Sequence, residues 1–265
     1  MRNRMAVVPI ILSLLLWGCV GKTQETVATE KGETEAAAVS VTETVPETTD
    51  TPEPLHSELY HPNYSQEQIR MYFEEVVLDV EYTDGTGDTT LVQKWLSPIG
   101  FRIYGEPTEE DLAVLNDLVA QLNQIPGFPG FYTAEAEGQE QLRISFLDPE
   151  TFRSSYSSVV GGEDAYGATQ FWYYTDTNEI HSARIGCRTD IAQEERDSVL
   201  VEEIINTLGI TDTVLREDSI TYQYSNENTA LSHVDQILLN LLYHPDMQCG
   251  MDGERCAAVI RALYY

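Results

Sequence analysis

Basic residues are scarce in this chain: 15 lysines and arginines stand against 44 aspartates and glutamates, a formal net charge of −29 over 265 residues. That deficit excludes a surface built to neutralise phosphates, so nucleic acid is not an expected partner, nor is an anionic lipid face. Histidine is also rare, with five residues and no HExxH run, so an imidazole-rich zinc centre has no local signature. The four cysteines show no CxxC spacing, which leaves out redox and zinc-finger motifs. No apolar run reaches the ~20 residues that cross a hydrocarbon core. No internal repeat is visible.

What is present begins at the N-terminus. Arg2 and Arg4 precede an apolar run over residues 6–16, interrupted by Pro9, which has the length of an export signal rather than of a membrane span. The run ends in Leu16-Trp17-Gly18-Cys19, which resembles the lipobox of bacterial lipoproteins. The resemblance implies a signal peptide over residues 1–18, cleavage before Cys19 and thioether lipidation of that cysteine. The alternative is an ordinary cleaved signal with an incidental cysteine. Lipid on Cys19 would make the membrane a partner and place the protein outside the cytoplasm, anchored in the bacterial envelope.

Composition then shifts. Residues 20–64 are rich in Thr, Glu, Ala and Pro, and carry nine acidic side chains against Lys22 and Lys31. Large apolar side chains are too few there to offset the entropy of ordering. We read residues 19–64 as a lipidated cysteine with a disordered acidic tether, whose coil reach is about 35–40 Å. Residues 65–265 have the hydrophobic content of one domain with a real core. Subtracting the +2 of the signal and the −7 of the tether leaves −24 on that domain. Of its three cysteines, Cys249 and Cys256 are expected to pair across a short loop, with a Cys187 bridge as the competing arrangement.

Within the domain, Ser65-x-x-Gln68 reads as a capping box opening a helix with Ile69, Phe73, Val76 and Val77 on one side. Residues 84–87 read as a loop, 99–104 as a strand and 108–124 as a helix. Residues 142–147 alternate as a half-buried strand does, and a Ser- and Gly-rich loop is expected around 154–162. Two strands, 169–175 and 179–187, meet at Asp176-Thr177-Asn178. A helix over 191–208 stops at Gly209, residues 212–228 are irregular, and helices follow from Ser232 and over 253–263. The fold class is α+β: a mixed sheet with a crossover helix, a long central helix, then C-terminal helices.

The chemistry concentrates on that central helix. At about 100° per residue, Glu202 and Asn206 stack one turn apart with Glu203 beside them, opposite Val201, Ile204, Ile205 and Leu208. The run Glu202-Glu203-x-x-Asn206-x-x-Gly209-x-x-Asp212 resembles the HExxHxxGxx ligand motif of metzincin peptidases. The resemblance puts Glu202, Asn206 and Asp212 at the three metal-ligand positions and Glu203 at the general base. It also puts Thr221 where those enzymes turn on a methionine. A second bacterial family of zincin-like domains, with Glu-Glu-x-x-Gln and no assigned activity, is similar over a longer stretch. Lys94-Trp95 with Pro98, and then Asp235, Leu238, Leu239, Leu242, Tyr243, Pro245, Gly250 and Met251, carry that likeness.

Two carboxylates and an amide suit a hard, weakly held divalent cation better than zinc. No cofactor is therefore expected. The resemblance implies a lipid-anchored, noncatalytic binding or interaction module with a cleft for a peptide or protein. The alternative is a metal-dependent hydrolase with Glu203 as base and an unusual metal. His181, His233 and His244 lie in no ligand spacing. The Ser154–Ser158 run lacks the strand-elbow context of a hydrolase serine. The aromatic run Phe171-Trp172-Tyr173-Tyr174 alternates faces, one toward the core and one free to stack on a ligand, while Phe128 and Phe131 either rim a pocket or plug the core.

Overall fold

Ser65 closes the capping box its sequence announces: its hydroxyl accepts from Gln68 N, and the Gln68 side chain accepts from Ser65 N. This is seen in a computed structural model that describes residues 5–9, 57–79, 90–158 and 165–265. Cys19, residues 19–56 of the tether and the loop at 84–87 lie outside the described residues. The described residues all fall in one compact unit.

Among the described residues, thirteen elements follow one another. Strand β1 (Met5–Pro9) comes first, then α1 (Gln66–Leu78), β2 (Lys94–Trp95) and β3 (Ile99–Gly105). Helix α2 (Glu109–Leu122) opens on a second capping box, Thr108 with Asp111, and buries Leu115, Leu118 and Leu122. After β4 (Phe131–Thr133) and β5 (Leu142–Leu147) comes α3 (Pro149–Tyr156). Strands β6 (Gly167–Tyr174) and β7 (Glu179–Arg188) form a hairpin through Asn178, which takes a left-handed φ of 58°. Helices α4 (Gln193–Asn206), α5 (His233–Tyr243) and α6 (Gly253–Leu263) complete the chain.

The strands form one sheet of an α+β fold in the order β1-β6-β7-β5-β3-β4, with β2 beside the first residues of β7. Its β3, β4, β5 and β7 run parallel, and α2 lies on the crossover from β3 to β5. Strand β6 runs antiparallel to β7, and β1 antiparallel to β6. Alternation sorts β6 by face. Gly167, Thr169 and Phe171 look toward α4 and the main core, whereas Gln170 and Trp172 share the opposite face with Arg184, on which α3 sits. Phe131 is buried, and Phe128 packs edge-on against Tyr243 at 4.8 Å between ring centroids, so both plug the core.

Two expectations are corrected. Ser154 and Ser155 are helical, because Asp148 accepts from Glu150 N and Thr151 N at 3.0 Å each and Pro149 sits in the first turn, a strong start signal. Residues 57–64 belong to the domain rather than to the tether. Tyr264 Oη donates to the carbonyls of His61 and Tyr64 at 3.0 and 2.8 Å, and Ser57 N donates to Tyr265 O. The aromatic side chains Tyr60 and Tyr64, packed against the core, supply the burial that the Thr/Glu-rich stretch lacks.

Candidate functional site

Helix α4 is not amphipathic in its setting. Every residue from Arg196 to Asn206 is buried, the polar ones included, and Glu202, Glu203 and Asn206 are only 2, 2 and 1% exposed. The polar side of the helix therefore faces neither water nor an open groove. It is covered by β6 on one flank and followed by the segment after Gly209.

That segment returns because of local chemistry. Gly209 has a φ of +92°, and a Cβ on it would lie 2.0 Å from Gln93 O, so only glycine can turn here. Beyond the turn, Thr211 N donates to Val76 O at 2.7 Å. The buried Glu75 of α1 then accepts from Thr213 Oγ1, Val214 N and Leu215 N at 2.6, 2.8 and 3.2 Å. Asp212 is thereby held against α4, where Asn206 Nδ2 donates to its Oδ1 at 3.2 Å. Asn206 Oδ1 is buried with no partner. Glu203 turns toward β6: Thr169 Oγ1 lies 2.5 Å from Glu203 Oε2 and 2.9 Å from its carbonyl. Gly167 makes room, since a Cβ there would come 2.3 Å from Glu203 Oε1.

The three acids share one electrostatic problem. Burial pushes the Glu203 carboxyl up to about 8, with the Asp212 charge adding to it and the Thr169 hydrogen bond opposing. Burial likewise pushes Asp212 up to about 7 against the Asn206 hydrogen bond, and raises Glu202 well above the usual range, with Asp212 and Glu203 reinforcing. No basic side chain is among these influences. A cluster of acids without a counter-cation lowers its energy by keeping protons. The charged pair nearer the start of the helix, Arg196 Nε to Asp111 Oδ1 at 2.9 Å, is closed on itself and ties α4 to α2.

Of the sequence-predicted quartet, Asn206 and Asp212 touch directly, Glu203 turns to Thr169, and Glu202 feels the charges of Asp212 and Glu203. Among the described residues, no group of three or more His, Cys, Asp or Glu side chains is placed to hold a metal ion. Sequence reasoning missed Thr169, Gly167 and Glu75. The sequence carries no signal for Glu75, which lies on the side of α1 away from Ile69, Phe73, Val76 and Val77.

The segments that carried the family likeness act as caps. Trp95 Nε1 donates to Thr207 O at 2.8 Å and Tyr243 Oη to Leu208 O at 3.0 Å, meeting carbonyls that the end of α4 leaves orphaned. Buried Lys94 donates to the carbonyls of Leu242 in the last turn of α5 and of His244 and Met247 beyond it. Asp235 accepts from Ser219 Oγ, Ile220 N and Ser232 N at 2.7, 3.1 and 3.0 Å and pairs with Arg216 at 2.8 Å, which fixes the segment containing Thr221. The histidines have packing roles: His181 stacks on Tyr174 at 4.3 Å, His233 lies against His61 and His244 lies 3.7 Å from Asp246.

The expected Cys249–Cys256 disulfide is also corrected: Cys187, Cys249 and Cys256 are all free thiols. Cys249 lies beside Lys94 on the wall of a cavity of about 470 Å³, while Cys256 is buried in α6, with Glu74 of α1 and Asp252 nearby. Burial pushes the Cys256 thiol up to about 12, so little thiolate is available for exchange. Alkylation without reductant should label Cys249 in the native protein and the other two only after unfolding. A mapped peptide pair linked through Cys249 and Cys256 would reinstate the bridge.

No curated protein matches the chain, and neither does a solved structure. Residues 66–262, from the first turn of α1 to the last of α6, match one family, so the chain belongs to the family described as Protein of unknown function (DUF2927).

Proposed function

We propose that this is a lipid-anchored, extracytoplasmic protein of the bacterial envelope whose zincin-like domain works as a noncatalytic interaction module for a peptide or protein ligand. The observation that carries the reading is the state of the central helix. A general base must reach the proton it removes, whereas Glu203 is buried beneath β6 and hydrogen-bonded to Thr169. The donor set does not fit zinc: it offers two carboxylates and one amide oxygen and lacks imidazole. A metal-dependent hydrolase is the second reading. It is favoured by one atom, the unpartnered buried Asn206 Oδ1, which with Glu202 and Asp212 would offer oxygen donors to a hard cation.

Elemental analysis of protein purified without chelators separates the two. Substoichiometric metal of every kind is expected, together with no peptide-bond cleavage after addition of Zn²⁺, Mn²⁺ or Ca²⁺. One equivalent of any of them retained through gel filtration would favour the hydrolase.

A further inference from the structure

Strand β6 ends the sheet on one side except for β1, whose residues fall in the segment that reads as an export signal. Residues Met5 to Pro9 lie antiparallel to it, in the register Met5 opposite Tyr174 through Pro9 opposite Gln170. Cleavage before Cys19 would remove this strand and leave a row of unpaired main-chain groups along β6. Open edges are usually guarded by charge, proline or a cover, because they template pairing with another chain. The Gly-Ala-Thr-Gln-Phe-Trp-Tyr-Tyr run of β6 contains neither a charge nor a proline. Within the described residues, β1 is the cover.

We propose that processing vacates the β6 edge and that the processed protein binds there an extended apolar peptide of about five residues with a basic flank, antiparallel to β6. The proposal rests on the lipoprotein and interaction-module reading above. Its main-chain part follows from the segment seated on the edge, since strand addition draws affinity from the backbone ladder and tolerates many side chains. Its length follows from the five paired residues and from Pro9, which lacks an N–H and ends the ladder. Its charge follows from Arg2 and Arg4 just before Met5, set against a domain of net charge −24. Such a domain attracts cationic segments at a distance and repels acidic ones. The acidic tether is thus a poor occupant of the same edge.

The test uses a fluorescent peptide with the sequence of residues 2–9 as probe. It is titrated into the processed lipoprotein in detergent and into the unprocessed Cys19→Ala chain, which keeps its own strand. A tethered competitor acts at an effective concentration in the millimolar range, so the processed form should bind at least about tenfold more tightly. Methylating alternate backbone nitrogens should separate a set that removes binding by about tenfold from a set that hardly matters, since only every other amide of a strand faces its neighbour. Exchanging both arginines for glutamates should weaken binding at low salt and matter little at high salt. Equal binding by both chains would overturn the proposal, as would no binding by the processed chain or indifference to the methylation pattern. None of these results bears on metal content, so the noncatalytic reading stands or falls separately.

Discussion

Asp235→Ala should cost the protein about 3–5 kcal/mol of stability, the range seen when one partner of a buried ion pair is removed. Asp235 and Arg216 are each 4% exposed. Arg216 Nε and Nη1 already lack partners, so the carboxylate 2.8 Å from Nη2 is its anionic compensation. The substitution also strands Ile220 N and Ser232 N, the first in the segment after Arg216 and the second at the start of α5. A fall of the urea midpoint with an unchanged slope would register this as lost stability rather than as a changed denatured state. Asp235→Asn, which keeps acceptor oxygen but not charge, should lose less. A loss under about 1 kcal/mol for the alanine variant would mean that the guanidinium finds water, as exposed pairs do.

Glu203→Gln should act in the opposite direction, and only at higher pH. The Glu203 carboxyl sits at about 8 in the folded protein against a reference of 4.5. Between those values the unfolded chain releases this proton while the folded protein keeps it. Stability therefore falls as pH rises through the window and levels off above it. Asp212, at about 7, and the raised Glu202 add slopes of the same sign. The amide keeps an acceptor for Thr169 and cannot ionise. We expect it to gain on the order of 2–4 kcal/mol at pH 8.5 and almost nothing at pH 5. Thermal unfolding of both proteins at the two pH values measures this. An equal loss at both would show that Glu203 is held as a carboxylate, which would revive its role as a base.

Much of the architecture was legible because its signals are local. Ser65 with Gln68, Thr108 with Asp111 and Ser232 with Asp235 each form the capping box their spacing announces, and Leu142–Leu147 is a strand at the predicted bounds. The helix starting after Asp148 was as readable in principle, but a serine-rich run that reads as loop hid it. What stayed illegible depends on partners distant in sequence. The Glu202 side of α4 fits an amphipathic pattern, and nothing near it reveals that β6 and the chain beyond Gly209 close over it. Likewise, the short spacing from Cys249 to Cys256 says little about direction, and the two thiols face different elements. Residues 57–64 were lost to the composition of their neighbours, although Tyr60 and Tyr64 were visible as aromatics.

The caps on α4 also constrain the order in which the molecule can assemble. The helix end is satisfied by Trp95 from about a hundred residues upstream and by Tyr243 from the far side of α5. Neither partner is local, so closing this junction requires two long loops to be formed first, each at an entropic cost. During synthesis the last turn of α4 is complete only once residue 243 has cleared the ribosome and reached it. A chain stopped within α5 would therefore leave the end of α4 without one of its caps and expose the middle of its own core.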